Sequence, residues 1–183
     1  VSNIQYLMPY LEHGIQRFPA NNWLVFYKAK LLAAVGDYSG AAHYALEVVK
    51  SKVNDFWSWS LLGDIYLNID EDKALSCYCR SLLCCADEDF LVNVHLNLAK
   101  LLVSRQLYSE AKYEIEAVFT TCEKNDRKAP EAATLFKSQD WYISVTPCSD
   151  AFYKQYSDLA ESILFKDLPW MNAVLGSSFK DKS

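Results

Sequence analysis

Small residues recur along this chain at a nearly constant spacing, and that period constrains the fold more than any other feature. Ala29, Gly63 and Ala99 are separated by 34 and 36 residues. Ala41, Ala74 and Ala111 are separated by 33 and 37, so the gap within each unit is 12, 11 and 12 residues. Four positions after the second small residue comes an apolar or aromatic one, as Ala45, Tyr78 and Ile115. The two series move together, which alanine content alone would not produce. Units of this size fold as like supersecondary elements that bury their apolar faces against one another.

Each unit parses as helix, turn, helix. In the first, Trp23 to Val35 is periodic, Gly36-Asp37-Tyr38 interrupts, and Ser39 to Lys50 resumes. In the second, Asp55 can cap a helix running to about Ile69. Asp70-Glu71-Asp72 then suits the start of its partner, where negative charge meets the helix dipole. Asp87-Glu88-Asp89 plays that part in the third unit, ahead of Phe90 to Ser104, and Tyr108 to Cys122 completes the pair. The repeats span about 22–53, 55–86 and 89–122 within a repeat region 1–122. Upstream, Leu7, Leu11, Gly14, Phe18 and Pro19 fit a half repeat over 4–19. This phase predicts a chain that starts in mid-repeat, as a piece of a longer protein. It also predicts an open apolar end through which copies could associate.

The stretch WSWSLLGDIY (57–66) holds a glycine inside an amphipathic helix. Trp59, Leu62, Gly63 and Tyr66 share one face, and glycine there costs roughly 1 kcal/mol against alanine. The expectation is that Gly63 faces Ala74, letting the two backbones approach, with Trp59 and Tyr66 buried on either side. At ~25 cal/mol per Å2 of apolar area, that burial outweighs the propensity cost.

These residues resemble the tetratricopeptide-repeat family, and bacterial members in particular. Its signature of Trp, Leu-Gly, Tyr, then Ala, an aromatic and Pro is matched best in the second unit by Trp59, Leu62, Gly63, Tyr66, Ala74 and Tyr78. The first unit keeps Ala29, Gly36-Asp37-Tyr38 and Ala41 but has Val25 and Lys28 where Trp and Leu are usual. The third has His95, Leu98, Ala99, Leu102, Tyr108 and Ala111. The resemblance implies an all-α fold: a right-handed superhelical solenoid of antiparallel helix hairpins. It implies, too, that the first helix of each hairpin lines a concave groove for a peptide or partner protein. Carried over position by position, the groove set is Trp23, Phe26, Tyr27 and Lys30, then Trp57, Leu61, Asp64 and Asn68, then Asn93, Leu96, Asn97 and Lys100. The best-known groove variant clamps a C-terminal carboxylate with Lys, Arg and Asn side chains. Phe26 and Leu61 stand where that clamp needs polar residues, which disfavours chaperone-tail binding. Two arrangements stay open: a groove that takes a ligand, or one covered by the N-terminal helix or the C-terminal tail.

Beyond Cys122 the period fails, and residues 123–183 read as connector, capping helices and apolar tail. Glu123 to Pro130 is a charged connector, and Pro130 to Ser138 is helical with Pro in its first turn. Gln139 to Thr146 reads as a short irregular or extended link ending at Pro147. Ser149 or Asp150 can cap a last helix through Phe165, with Phe152, Tyr156, Leu159 and Ile163 as its stripe. This helix is expected to close the open end of the stack, since a terminal repeat otherwise exposes its apolar face. The tail from Phe165 to Gly176, with Trp170, Met171, Val174 and Leu175, is too apolar to float free. It is similar to segments that follow the repeats in some uncharacterised bacterial proteins of defence or conflict loci.

Motifs for chemistry do not turn up. There is no Gly-rich phosphate loop, no nucleophile elbow and no H-E-x-x-H. His13, His43 and His95 lie in separate units, each at a helical position suited to a packed or half-exposed imidazole. Asp70-Glu71-Asp72 and Asp87-Glu88-Asp89 are explained by helix-start electrostatics without a cation. Of six cysteines, Cys77, Cys79, Cys84 and Cys85 fall in one helical stretch with no zinc-knuckle spacing. They read as reduced packing residues of a cytoplasmic protein. Neither metal nor cofactor is expected. A net charge of −5 weighs against a nucleic-acid binder, Lys124, Arg127 and Lys128 being the one weak basic strip. No apolar run approaches the ~18 residues that span a bilayer. The leading expectation is a non-enzymatic interaction scaffold that takes a protein or peptide in its groove. The alternatives are an accessory tether in a nucleic-acid-directed bacterial defence system, and a self-associating structural module.

Overall fold

Capped turns punctuate the chain where the period breaks. Gly36 adopts φ of 86°, the left-handed conformation that glycine reaches without steric cost. From it, Gly36 N–H bonds Ala33 O at 3.0 Å and Asp37 N–H bonds Leu32 O at 3.0 Å, a Schellman end. Asp37 then accepts from Gly40 N–H at 2.9 Å and starts the following helix. The third unit repeats this turn with Gln106 in place of glycine, at φ of 61°. Asp70 caps its helix through the Asp72 and Lys73 amides at 3.1 and 3.2 Å, as its place in the sequence suggests.

The computed structural model describes residues 2–85 and 87–166. Among them it is all-α. Its helices are α1 (Ser2–Arg17), α2 (Asn22–Ala34), α3 (Tyr38–Ser51), α4 (Phe56–Tyr66), α5 (Glu71–Leu83), α6 (Val92–Ser104), α7 (Tyr108–Lys124), α8 (Glu131–Lys137), α9 (Asp140–Ser144) and α10 (Ala151–Leu164), with a 3-10 turn at Glu88–Phe90 before α6. No helix among the described residues is long and apolar enough to cross a membrane. The apolar tail from residue 167 onward lies outside the described residues.

Helices pack in sequence-adjacent pairs, α2 on α3, α4 on α5 and α6 on α7, with α3 against α4, α5 against α6, and α1 on α2. The residues that carry the period are those most fully buried. Ala29, Ala41, Trp59, Ala74, Tyr78, Ala99, Ala111 and Ile115 are all 0% exposed. Gly63 is buried too, and the atoms nearest it belong to Tyr78 rather than to Ala74. A Cβ on Gly63 would lie 2.9 Å from both Cδ1 and Cε1 of Tyr78. The glycine therefore lets an aromatic ring, one helical turn beyond Ala74, lie against the α4 backbone.

The C-terminal region departs from expectation twice. The segment read as an irregular link is α9, a short helix whose terminal carbonyls on Tyr142 and Val145 both accept from Lys112 Nζ at 2.8 Å. Trp141 stacks on Tyr108 with ring centroids 4.8 Å apart, which holds α9 on α7. The last helix forms where expected but does not close the end of the stack. It lies on α5, with a smaller contact to α3, while α8 and α9 cover α7. Its buried face is Phe152, Tyr153, Ser157, Ala160 and Leu164, and Leu159 is 39% exposed. Small side chains at 157 and 160 let α10 come close to α5, where the Ala160 amide reaches Ser76 Oγ at 2.7 Å. Of the expected stripe, Phe152, Tyr156 and Ile163 still pack against the core.

Candidate functional site

Three helix starts bring aromatic rings to one side of the molecule, two of them capped by a side chain; Asp55, expected to cap the third, makes no cap hydrogen bond. Asn21 accepts from the Trp23 amide at 3.1 Å and sets Trp23 in the first turn of α2. Asp55 precedes α4, so Phe56 and Trp57 open that helix. Asp87 accepts from the Asp89 amide at 3.1 Å and caps the 3-10 turn that ends in Phe90. Trp23 and Trp57 stack with centroids 4.7 Å apart and planes 18° apart. Phe26 stands edge-on to both, at 5.4 and 5.5 Å, and Phe56 faces Phe90 at 6.4 Å. Among the described residues the row stays partly open: Trp23 is 52%, Tyr27 54% and Phe90 64% exposed.

Beside the rings lies a cavity of about 250 Å3 lined by Phe26, Lys30, Phe56, Trp57, Ser60, Leu61, Asp64, Phe90, Asn93, Val94 and Asn97. Asp64 Oδ1 accepts from Tyr78 Oη at 2.7 Å and from Asn97 Nδ2 at 3.1 Å. Burial raises the Asp64 pKa, against the pull of these two donors and of Lys30 and Lys100. Burial and the same carboxylate push Tyr78 up, so its hydroxyl stays a donor. Lys30 Nζ sits 5.6 Å from the Phe26 ring. Lys100 Nζ reaches Asn97 Oδ1 at 3.5 Å.

Of the residues picked out from the sequence, Phe26, Lys30, Trp57, Leu61, Asp64, Asn93 and Asn97 line this cavity. Trp23, Tyr27 and Lys100 join through Trp57, Phe26 and Asn97. Asn68 stands apart, its amide donating to the Asp64 carbonyl at 3.2 Å along the end of α4. Leu96 is buried on another face, with Val118, Cys122 and Ala133, because α8 packs on α7 and draws that side of α6 inward. Phe56, Ser60, Phe90 and Val94 are the lining residues that sequence reasoning missed. A signal existed: Phe56 and Phe90 lie 34 residues apart, as do Trp23 and Trp57. A wider hollow of about 570 Å3 beside Trp23, lined by Phe18 to Asn22 and Lys52, is made mostly of turn residues.

A second cluster lies behind the third helix pair. His95 Nδ1 is 2.6 Å from Glu114 Oε2, and its Nε2 is 2.8 Å from Glu88 Oε2. Tyr153 Oη on α10 donates to Glu114 Oε1 at 2.7 Å. Burial would lower the His95 pKa, but the two carboxylates reverse it and push it up to about 9. Burial raises Glu114 despite its partners, whereas the bond to His95 lowers Glu88. The His95 and Glu114 side chains are 4% and 0% exposed, so the cluster ties elements together and offers no room for a substrate. By contrast, His43 is exposed beside Glu47. All six cysteines are free, and burial pushes the Cys77 and Cys79 thiols up. No His, Cys, Asp and Glu group among the described residues is arranged to hold a metal.

A family model described as "Domain of unknown function (DUF7017)" matches residues 22–161, from the first residue of α2 into α10. No curated protein matches the chain.

Proposed function

The chain belongs to the DUF7017 family, and we propose that it is a non-enzymatic protein–protein interaction module whose groove is the aromatic-lined side of α2, α4 and α6. The three helix pairs are, in this reading, tetratricopeptide-type hairpins stacked as a right-handed solenoid. The observation that carries the reading is the row of exposed rings, Trp23, Tyr27 and Phe90, continuous with the polar floor at Asp64, Asn93 and Asn97. Exposed aromatic anchors beside a few fixed polar groups are what interface hot spots use. The buried titratable cluster around His95 has its groups engaged with one another, which supports a structural role for it.

A photo-crosslinking amino acid placed at position 23, 90 or 143 in source cells tests this. Ile143 on α9 is 84% exposed and outside the groove. Adducts with a common protein from positions 23 and 90 but not 143 are the expected result. No adduct, or the same adducts from 143, would sink the reading.

A further inference from the structure

Beyond that reading, we infer that the cavity beside the aromatic row binds a small zwitterion, a quaternary ammonium that also carries a carboxylate or phosphate. Size and lining set the scale. At about 250 Å3 the cavity falls below the roughly 300–1,000 Å3 of sites for drug-sized ligands. Four of its lining side chains are rings, Phe26, Phe56, Trp57 and Phe90, and Asp64 lines it with them. Ring faces attract a cation through their quadrupole. The chain already uses one of these rings so: Lys30 Nζ lies 5.6 Å from the centroid of Phe26. No lysine or arginine of the described residues lies over Phe56, Trp57 or Phe90, and these three rings remain for a guest.

The charges around the cavity are of both signs. Asp64 takes its two bonds, from Tyr78 Oη at 2.7 Å and Asn97 Nδ2 at 3.1 Å, on Oδ1 alone. Both donors are neutral, so neither cancels the carboxylate's charge. Desolvation raises the Asp64 pKa in spite of those donors and of Lys30 and Lys100, which marks an anion that its surroundings compensate incompletely. Asp64 still meets solvent, so a ligand can reach it. Lys30 lines the cavity, and Lys100 Nζ reaches Asn97 Oδ1 at 3.5 Å; both lysines are exposed. A ligand that is only a cation meets the lysines, and one that is only an anion meets Asp64, and like charge is penalised in either case. A ligand with both charges satisfies both sides. The rings decide the kind of ammonium. A primary ammonium needs acceptors for three N–H donors, whereas N-methyl groups need none and pack directly on aromatic faces.

Isothermal titration calorimetry of the full chain tests this, with trimethylglycine and phosphocholine as probes. Tetramethylammonium, acetate and inorganic phosphate serve as the single-charge controls. At least one probe should bind about tenfold more tightly than any control, and the tighter probe names the anionic group. Phe90→Leu removes a ring that is 64% exposed, a change the fold tolerates, and should weaken the probe about tenfold. Asp64→Asn should weaken the probe and tetramethylammonium alike. Lys30→Gln/Lys100→Gln should weaken the probe and spare tetramethylammonium. Circular dichroism checks that each variant is folded. Binding of neither probe, a control that binds as tightly as both, or affinities unchanged in the Phe90 and lysine variants would overturn the inference. Those results leave the protein-partner reading standing, since Trp23 does not line this cavity and crosslinks from position 23 report on that reading separately.

Discussion

The groove and the His95 cluster are built from the same kinds of residue and end in opposite states. In the groove, Trp23, Tyr27 and Phe90 remain more than half exposed, and Lys30 and Lys100 are exposed at its edge. Behind α6, Glu114, His95 and Tyr153 are buried and bond one another across α6, α7 and α10. The first region is a surface whose members recur with the repeat; the second occurs once and locks the repeats to α10. A period supplies faces, and a single non-repeating helix decides which face is sealed.

The sharpest test of that contrast is stability. His95→Ala leaves Glu114 buried without its cationic partner and should cost about 3–5 kcal/mol in urea unfolding. Trp23→Ala, on a half-exposed ring, should cost below about 1 kcal/mol. Equal losses would show that the two regions do not differ as described. Next, Gly63→Ala should cost about 1–3 kcal/mol by overpacking, since Tyr78 is fully buried and bonded to Asp64. Trimming the ring with Tyr78→Leu should make the added methyl less costly, and a double-mutant cycle measures that coupling.

The cluster also predicts a pH signature that the groove lacks. The folded-state pKa of His95 is raised, from 6.5 to about 9. Its contribution to stability is therefore fully present below about 6.5 and lost as pH rises through about 9. Glu88 is shifted down, so its contribution is lost instead as pH falls into the carboxylate range. Urea midpoints across the alkaline limb should decline in the unaltered chain, and His95→Gln should flatten that decline. An unchanged slope in the variant would remove His95 from the account. The smallest effect is expected in the turns: Gln106→Gly should stabilise by about 0.5–1 kcal/mol, by relieving a side chain held at φ of 61°. A loss there would show that the Gln106 side chain contributes more than the backbone strain costs.

Much of this was legible before any coordinate. The spacing of Ala29, Gly63 and Ala99 placed α2, α4 and α6, and the acidic triplets marked where α5 and the 3-10 turn begin, because caps and small-residue contacts act within a turn or between adjacent helices. Seven of the positions assigned to the groove line one cavity for the same reason. Leu96 was misplaced because α8, which draws it inward, lies beyond the repeat.

What the sequence by itself determined is the all-α class and the three helix pairs, since each depends on neighbours at most one repeat away. Only the tertiary structure decided that Tyr78 rather than Ala74 lies against Gly63, and that α10 packs on α5 rather than over the end. It alone decided, too, that His95 is buried between Glu88 and Glu114. Those outcomes rest on pairings such as Tyr153 with Glu114, 39 residues apart, and Ala160 with Ser76, 84 apart. Contacts of that range are selected by shape and by the need to satisfy buried polar groups, and neither leaves a periodic trace in the chain.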